Sequence, residues 1–93
     1  MHDRVLRQMR AQIRTRQYVM TVHAEEEMDS DNLSILDVEH GILTGEIIER
    51  QQDVDTAEFK YLISGRTLGG KGIVVVGKLS ATHKLVVITV YRE

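Results

Sequence analysis

The sequence predicts a single α+β domain over residues 1–93, with N-terminal helices packed on a mainly antiparallel sheet of four to five strands. Three observations carry that expectation. In the first half of the chain apolar residues recur at helical spacing, and from Glu58 onward the pattern changes to short β-rich runs separated by glycine or polar turns. The separations between those runs suit hairpins, so neighbouring strands should run antiparallel. Val74-Val75-Val76 and Val86-Val87-Ile88 are apolar on both faces, which puts their strands in the sheet interior with helices covering one side.

Between Asp3 and Gln17, Val5, Leu6, Met9 and Ile13 are spaced by about one helical turn, while Arg7, Arg10 and Arg14 share another face. This Arg-rich segment, residues 1–17, reads as an amphipathic surface helix with Asp3 as its N-cap. Tyr18 to Val22 is β-branched and aromatic enough for a short strand, and Thr21 is placed to cap the next helix. Residues 23–29 form that helix, an acidic one, with Glu25, Glu26 and Glu27 where the macrodipole favours negative charge. Asp29-Ser30-Asp31-Asn32 ends it, because these side chains compete for backbone hydrogen bonds.

Ser34 and Asp37 have the spacing of a capping box, which starts a second helix from Ile35 to Thr44. Gly45 is expected to stop it in the left-handed conformation. A strand then begins at Ile47 to Arg50, followed by a polar connection from Gln51 to Ala57. Three further strands are expected at Phe59 to Gly65, Gly72 to Leu79 and Lys84 to Arg92, joined by turns at Gly69 to Gly72 and Ser80 to His83. Strict alternation places Lys78 opposite Leu79, and Tyr91 on the face of Leu85, Val87 and Thr89.

With no cysteine, the chain has neither a disulfide framework nor thiolate metal ligands, a composition that favours the cytoplasm. No apolar stretch reaches the ~18–20 residues that span a bilayer. A domain of this size has modest stability, so a partner or a homodimer fits the composition. The net charge of -2 hides an asymmetry: residues 1–17 carry +4, residues 18–58 carry -11 and residues 59–93 carry +5. Either these segments neutralise one another across the folded surface, or a basic face survives.

Several constellations have ordinary explanations. Gly65-Arg66-Thr67-Leu68-Gly69-Gly70-Lys71 fits the start of a phosphate-binding loop, but Gly72 replaces the metal-binding hydroxyl and a strand comes next instead of a helix. It reads as a hairpin loop with a basic tip. His23 and Glu27, four apart on a helix, are two ligands at most, so the expectation is a surface His–Glu pair and no metal site. Phe59 and Tyr61 share a strand face and are expected to pack in the core. RNA cleavage through the 2′-hydroxyl needs a base, an acid and a cation for the phosphorane. The groups of those types are His23, Lys60, Arg66, Lys78, His83 and Tyr91.

Val22-His23-Ala24 with Met28, Asp37-Val38, Gly45-Glu46-Ile47-Ile48-Glu49, Tyr61-Leu62-Ile63-Ser64-Gly65, Val74-Val75-Val76 and Val87-Ile88-Thr89-Val90-Tyr91 form a recognisable series. Over residues 18–92 it resembles the bacterial family called domain of unknown function 4258, leaving the first helix as an addition. That family looks like a relative of the RelE/BrnT/MqsR-type toxins of toxin–antitoxin systems. The resemblance implies a curved, RelE-like sheet and metal-independent cleavage of RNA, with no cofactor. It makes His23, Tyr91 and Lys78 the catalytic candidates and Lys60, Arg66 and Lys78 the RNA-binding ones. It also implies an antitoxin partner of zinc-finger or helix-turn-helix type. The alternatives are a protein-interaction module of the same fold and a nucleic-acid-binding domain that reads only backbone.

Overall fold

A computed structural model describes residues 2–93. The elements run α1 (Asp3–Arg14), β1 (Tyr18–Met20), α2 (Val22–Ser30), α3 (Ile35–Thr44), β2 (Glu46–Gln52), β3 (Phe59–Arg66), β4 (Gly72–Leu79) and β5 (Leu85–Arg92). The five strands form one sheet in the order β1-β5-β4-β3-β2. β2 to β5 make the expected antiparallel meander, while β1 joins the far side parallel to β5, with Tyr18 opposite Leu85.

The helices cover one face. Leu6, Met9 and Ile13 of α1, Ala24 and Met28 of α2, and Val38 and Ile42 of α3 bury against Ile63, Ile73, Val75, Leu85, Val87 and Val90 of the sheet. Burying one such aliphatic side chain contributes about 1.5–3 kcal/mol, so this layer dominates stability.

Helix starts obey their local chemistry. Thr21 Oγ1 accepts the Ala24 N–H at 3.1 Å. Ser34 and Asp37 close a reciprocal capping box, in which the Ser34 hydroxyl accepts the Asp37 N–H at 3.2 Å and the Asp37 carboxylate accepts the Ser34 N–H at 3.0 Å. That carboxylate also accepts the Leu68 N–H at 3.0 Å, tying the β3–β4 loop to α3. These N–H groups of Ser34 and Leu68 hold the Asp37 carboxyl below its ordinary range. At α1 the cap position belongs to His2, which offers no side-chain bond, and Asp3 is the first helical residue.

Gly45 does end α3, but in extended backbone with φ -91° and ψ 180° rather than the left-handed form. Glycine is needed there for space. A Cβ at Gly45 would lie 2.5 Å from the Gly41 carbonyl oxygen and 2.6 Å from that of Ser64, and one at Gly65 would lie 2.0 Å from the Gly41 oxygen. The backbones of α3 and β3 meet through these glycines.

A β-bulge overturns the expected placement of Tyr91. Val76 pairs with Thr89 but Gly77 pairs with Val87, leaving Ile88 as the extra residue. Alternation therefore shifts by one after Val87. Val90 enters the core, and Tyr91 stands opposite Val74 on the face away from the helices.

β1 pairs with only the first residues of β5, and side chains close the rest of that edge. The Thr21 hydroxyl donates to the Ile88 carbonyl at 3.0 Å. Glu27 Oε1 accepts the Val90 N–H at 3.1 Å, and Asp31 Oδ2 accepts the Arg92 N–H at 3.4 Å. The acidic helix is thus a cover for strand donors that would otherwise invite another chain. The opposite edge, β2, is marked by a bulge between Ile47 and Glu49 and by exposed charge.

Among the described residues the one ion pair joining a Lys or Arg to a carboxylate is Lys78 with Glu58, at 3.4 Å.

Candidate functional site

The face of the sheet away from the helices is open, and β3 and β4 bring two cations together on it. Tyr61 pairs with Gly77 in the core-facing row, so Lys60 and Lys78 stand opposite each other in the adjacent row of the open face. They line a depression of about 300 Å³ whose apolar floor includes Val86 and Ile88. Thr21 lines one side, the β2–β3 connection supplies Asp53, Thr56 and Glu58, and β3 begins there with Phe59.

That connection is braced locally. Asp53 Oδ1 accepts the N–H groups of Asp55 at 2.8 Å and Thr56 at 3.1 Å. The Thr56 and Asp55 donors lower the Asp53 carboxyl from its ordinary range, which marks Asp53 as a turn former. Glu58 reaches the Lys78 ammonium at 3.4 Å. Contrary to the expectation of core packing, Phe59 is partly exposed and carries the Arg50 guanidinium over its ring at 4.3 Å, while Tyr61 is buried.

The remaining candidates lie elsewhere. His23 occupies the first turn of α2 with its side chain 65% exposed and Nε2 3.3 Å from Glu27 Oε1. It lines a separate acidic depression with Glu26, Glu27, Ser30 and Asp31. Tyr91, on the open face, belongs to the row of Ser64 and Val74. Four residues of β4 separate that row from Lys78, about 13 Å at strand rise. Arg66 ends β3 at that same end, donating to the Gly70 carbonyl at 3.3 Å and lining a third depression with Ser64 and Glu93. His83 sits in the β4–β5 turn with φ 63°, and His40 donates through Nδ1 to the Arg66 carbonyl at 2.8 Å.

The structure thus gathers Lys60 with Lys78, aligns Tyr91 and Arg66 farther along the same sheet, and leaves His23 in its own depression. Among the described residues, no group of three or more His, Asp or Glu is arranged to hold a metal ion. No helix among them is long and apolar enough to cross a membrane. Glu58, Phe59 and Thr21 were not legible as site residues. Glu58 and Phe59 sit at the boundary between a polar connection and a strand, and Thr21 carries a capping signal that conceals its second role.

Three helices behind an open five-stranded sheet, with Lys60 and Lys78 beside Asp53 and Glu58 on the uncovered face, define a small α+β domain. Residues 20–92 match the family model described as Domain of unknown function (DUF4258), and the chain belongs to that family. α1 precedes the matched segment. No curated protein and no solved structure matches the chain.

Proposed function

We propose that the open face of the sheet engages RNA and that the protein is a RelE-like ribonuclease toxin acting by acid–base chemistry. The observation that carries this reading is the opposition of Lys60 and Lys78 above an apolar depression. Two ammonium groups facing each other across adjacent strands repel, and Glu58 offsets the charge of one. A phosphodiester seated between them relieves the repulsion and receives the cationic stabilisation that a phosphorane requires. Tyr91 and Arg66 then extend a track along β3 to β5 for the same strand. His23, two residues beyond Thr21, is the group assigned to proton transfer, and a small zinc-finger or helix-turn-helix antitoxin is the partner expected.

A second reading, backbone binding without cleavage, is favoured by the distance of Tyr91 from the lysines and the separate depression occupied by His23. Induced expression of wild type, His23→Ala and the Lys60→Ala/Lys78→Ala double variant, with growth and RNA integrity monitored, separates the two. Cleavage predicts that wild type slows growth and fragments RNA while both variants do neither. If wild type leaves growth and RNA intact, yet binds RNA in a salt-sensitive manner that the double variant loses, the second reading holds. Absence of RNA binding by wild type removes both.

A further inference from the structure

The geometry points to a second polyanion surface, separate from the lysine pair: the outer face of α1, where Arg4, Arg7 and Arg14 grip the phosphodiester backbone of a nucleic-acid strand. It lies in the helical layer behind the sheet and precedes the matched family segment. It goes beyond the reading of the open face.

The four arginines of α1 divide into two kinds. Arg10 turns inward, donating to the Ile42 carbonyl at 3.2 Å and to the Gly45 carbonyl at 2.6 Å, so it closes the C-terminus of α3. Arg4, Arg7 and Arg14 remain exposed, although the chain holds 14 carboxylates. No ion pair joins any of the three to a carboxylate among the described residues. Their spacing of three and seven residues puts them in one stripe. At 1.5 Å per residue the stripe is about 15 Å long, enough for its three guanidinium groups to reach separate phosphates of one strand.

Helix stability does not explain the stripe. Arg14 suits the negative C-terminal end of the dipole, but Arg4 sits in the first turn, where a cation is unfavourable. Nor does a bilayer suit it, because the apolar face of α1 is already buried in the core and interfacial helices need that face to insert. The basic residues of the segment are all arginines, whereas the four lysines all lie between Lys60 and Lys84. The planar guanidinium fork matches phosphate oxygens two at a time, which favours a phosphodiester over a diffuse acidic surface. Ala11, exposed between Arg7 and Arg14, leaves room for a backbone to approach.

The test uses the full chain and salt-titrated fluorescence anisotropy with an unstructured RNA oligonucleotide and its DNA counterpart. The variants are the Arg4→Gln/Arg7→Gln/Arg14→Gln triple, the corresponding triple Arg→Lys set, and Lys60→Ala/Lys78→Ala. Glutamine keeps helix propensity, and circular dichroism checks the fold. Loss of three phosphate contacts should reduce the slope of log affinity on log salt by about 2, for both oligonucleotides or for RNA alone. The lysine triple should keep the slope and bind more weakly, and the open-face double variant should retain stripe-dependent binding even if it abolishes RNA cleavage. An unchanged slope in the glutamine triple overturns the proposal. So does stripe-dependent binding to phosphatidylserine vesicles with none to either oligonucleotide.

Discussion

Glu27 separates a structural reading of the acidic helix from a catalytic one. Its Oε1 accepts the Val90 N–H at 3.1 Å and lies 3.3 Å from His23 Nε2, with the Glu27 side chain 28% exposed and that of His23 65% exposed. A hydrogen bond to a charged acceptor is worth about 1.5–3 kcal/mol, and the higher helix propensity of alanine returns a few tenths. Glu27→Ala should therefore cost about 1–2.5 kcal/mol, which for a domain of this size lowers Tm by roughly 5–20 °C. Glu27→Gln keeps an acceptor and should lose about half as much. His23→Ala removes only an exposed pair and should cost about 0.5 kcal/mol or less. Urea and thermal unfolding monitored by circular dichroism measure these differences, and hydrogen exchange at the Val90 amide reports the bond itself. If Glu27→Ala and His23→Ala unfold alike and Val90 keeps its protection, Glu27 does not secure the edge of β5.

The packing sets two further expectations. Gly65→Ala forces a Cβ against the Gly41 carbonyl, a backbone atom that cannot rotate away, and should cost about 3 kcal/mol or more. Gly69→Ala meets only the Thr67 hydroxyl at 3.8 Å and should stay within about 0.5 kcal/mol of wild type, so equal melting of the two would refute the close-contact account. Burial, then the hydrogen bond to Glu39, raises Tyr18 from 10.0 to about 12. With the folded value raised, the contribution of Tyr18 is complete below pH 10 and declines as pH rises toward 12, because the unfolded chain ionises first. Ultraviolet titration of tyrosinate should show that late ionisation in wild type, and Tyr18→Phe should lose less stability across this interval. A Tyr18 that titrates at the ordinary value would count against the burial described.

The helices and the meander were legible because their signals are local. Leu6, Met9 and Ile13 mark a helical face, Ser34 with Asp37 marks a helix start, and glycine or polar turns punctuate the strands. The features that escaped depend on residues distant in sequence. The parallel pairing of β1 has no local signature, and the bulge at Ile88 shifts every later side chain without altering the apolar pattern that precedes it. The same limit applies to the site. Lys60 and Lys78 could be named as basic strand residues, but only the register of β3 against β4 makes them neighbours. The glutamates after His23 suggested dipole compensation, whereas Glu27 answers a backbone donor 63 residues away.

The position of β5 also governs when the protein can become itself during synthesis. This last strand receives β1 along one side, hydrogen-bonds to Thr21, Glu27 and Asp31, and contributes Leu85, Val87 and Val90 to the core. A nascent chain that has released β1 and α2 must hold them unseated until residues 85–92 leave the ribosome. Interruption of translation anywhere before that point leaves a product missing the strand on which β1 and α2 dock, and such fragments are candidates for chaperone capture or proteolysis rather than partial function.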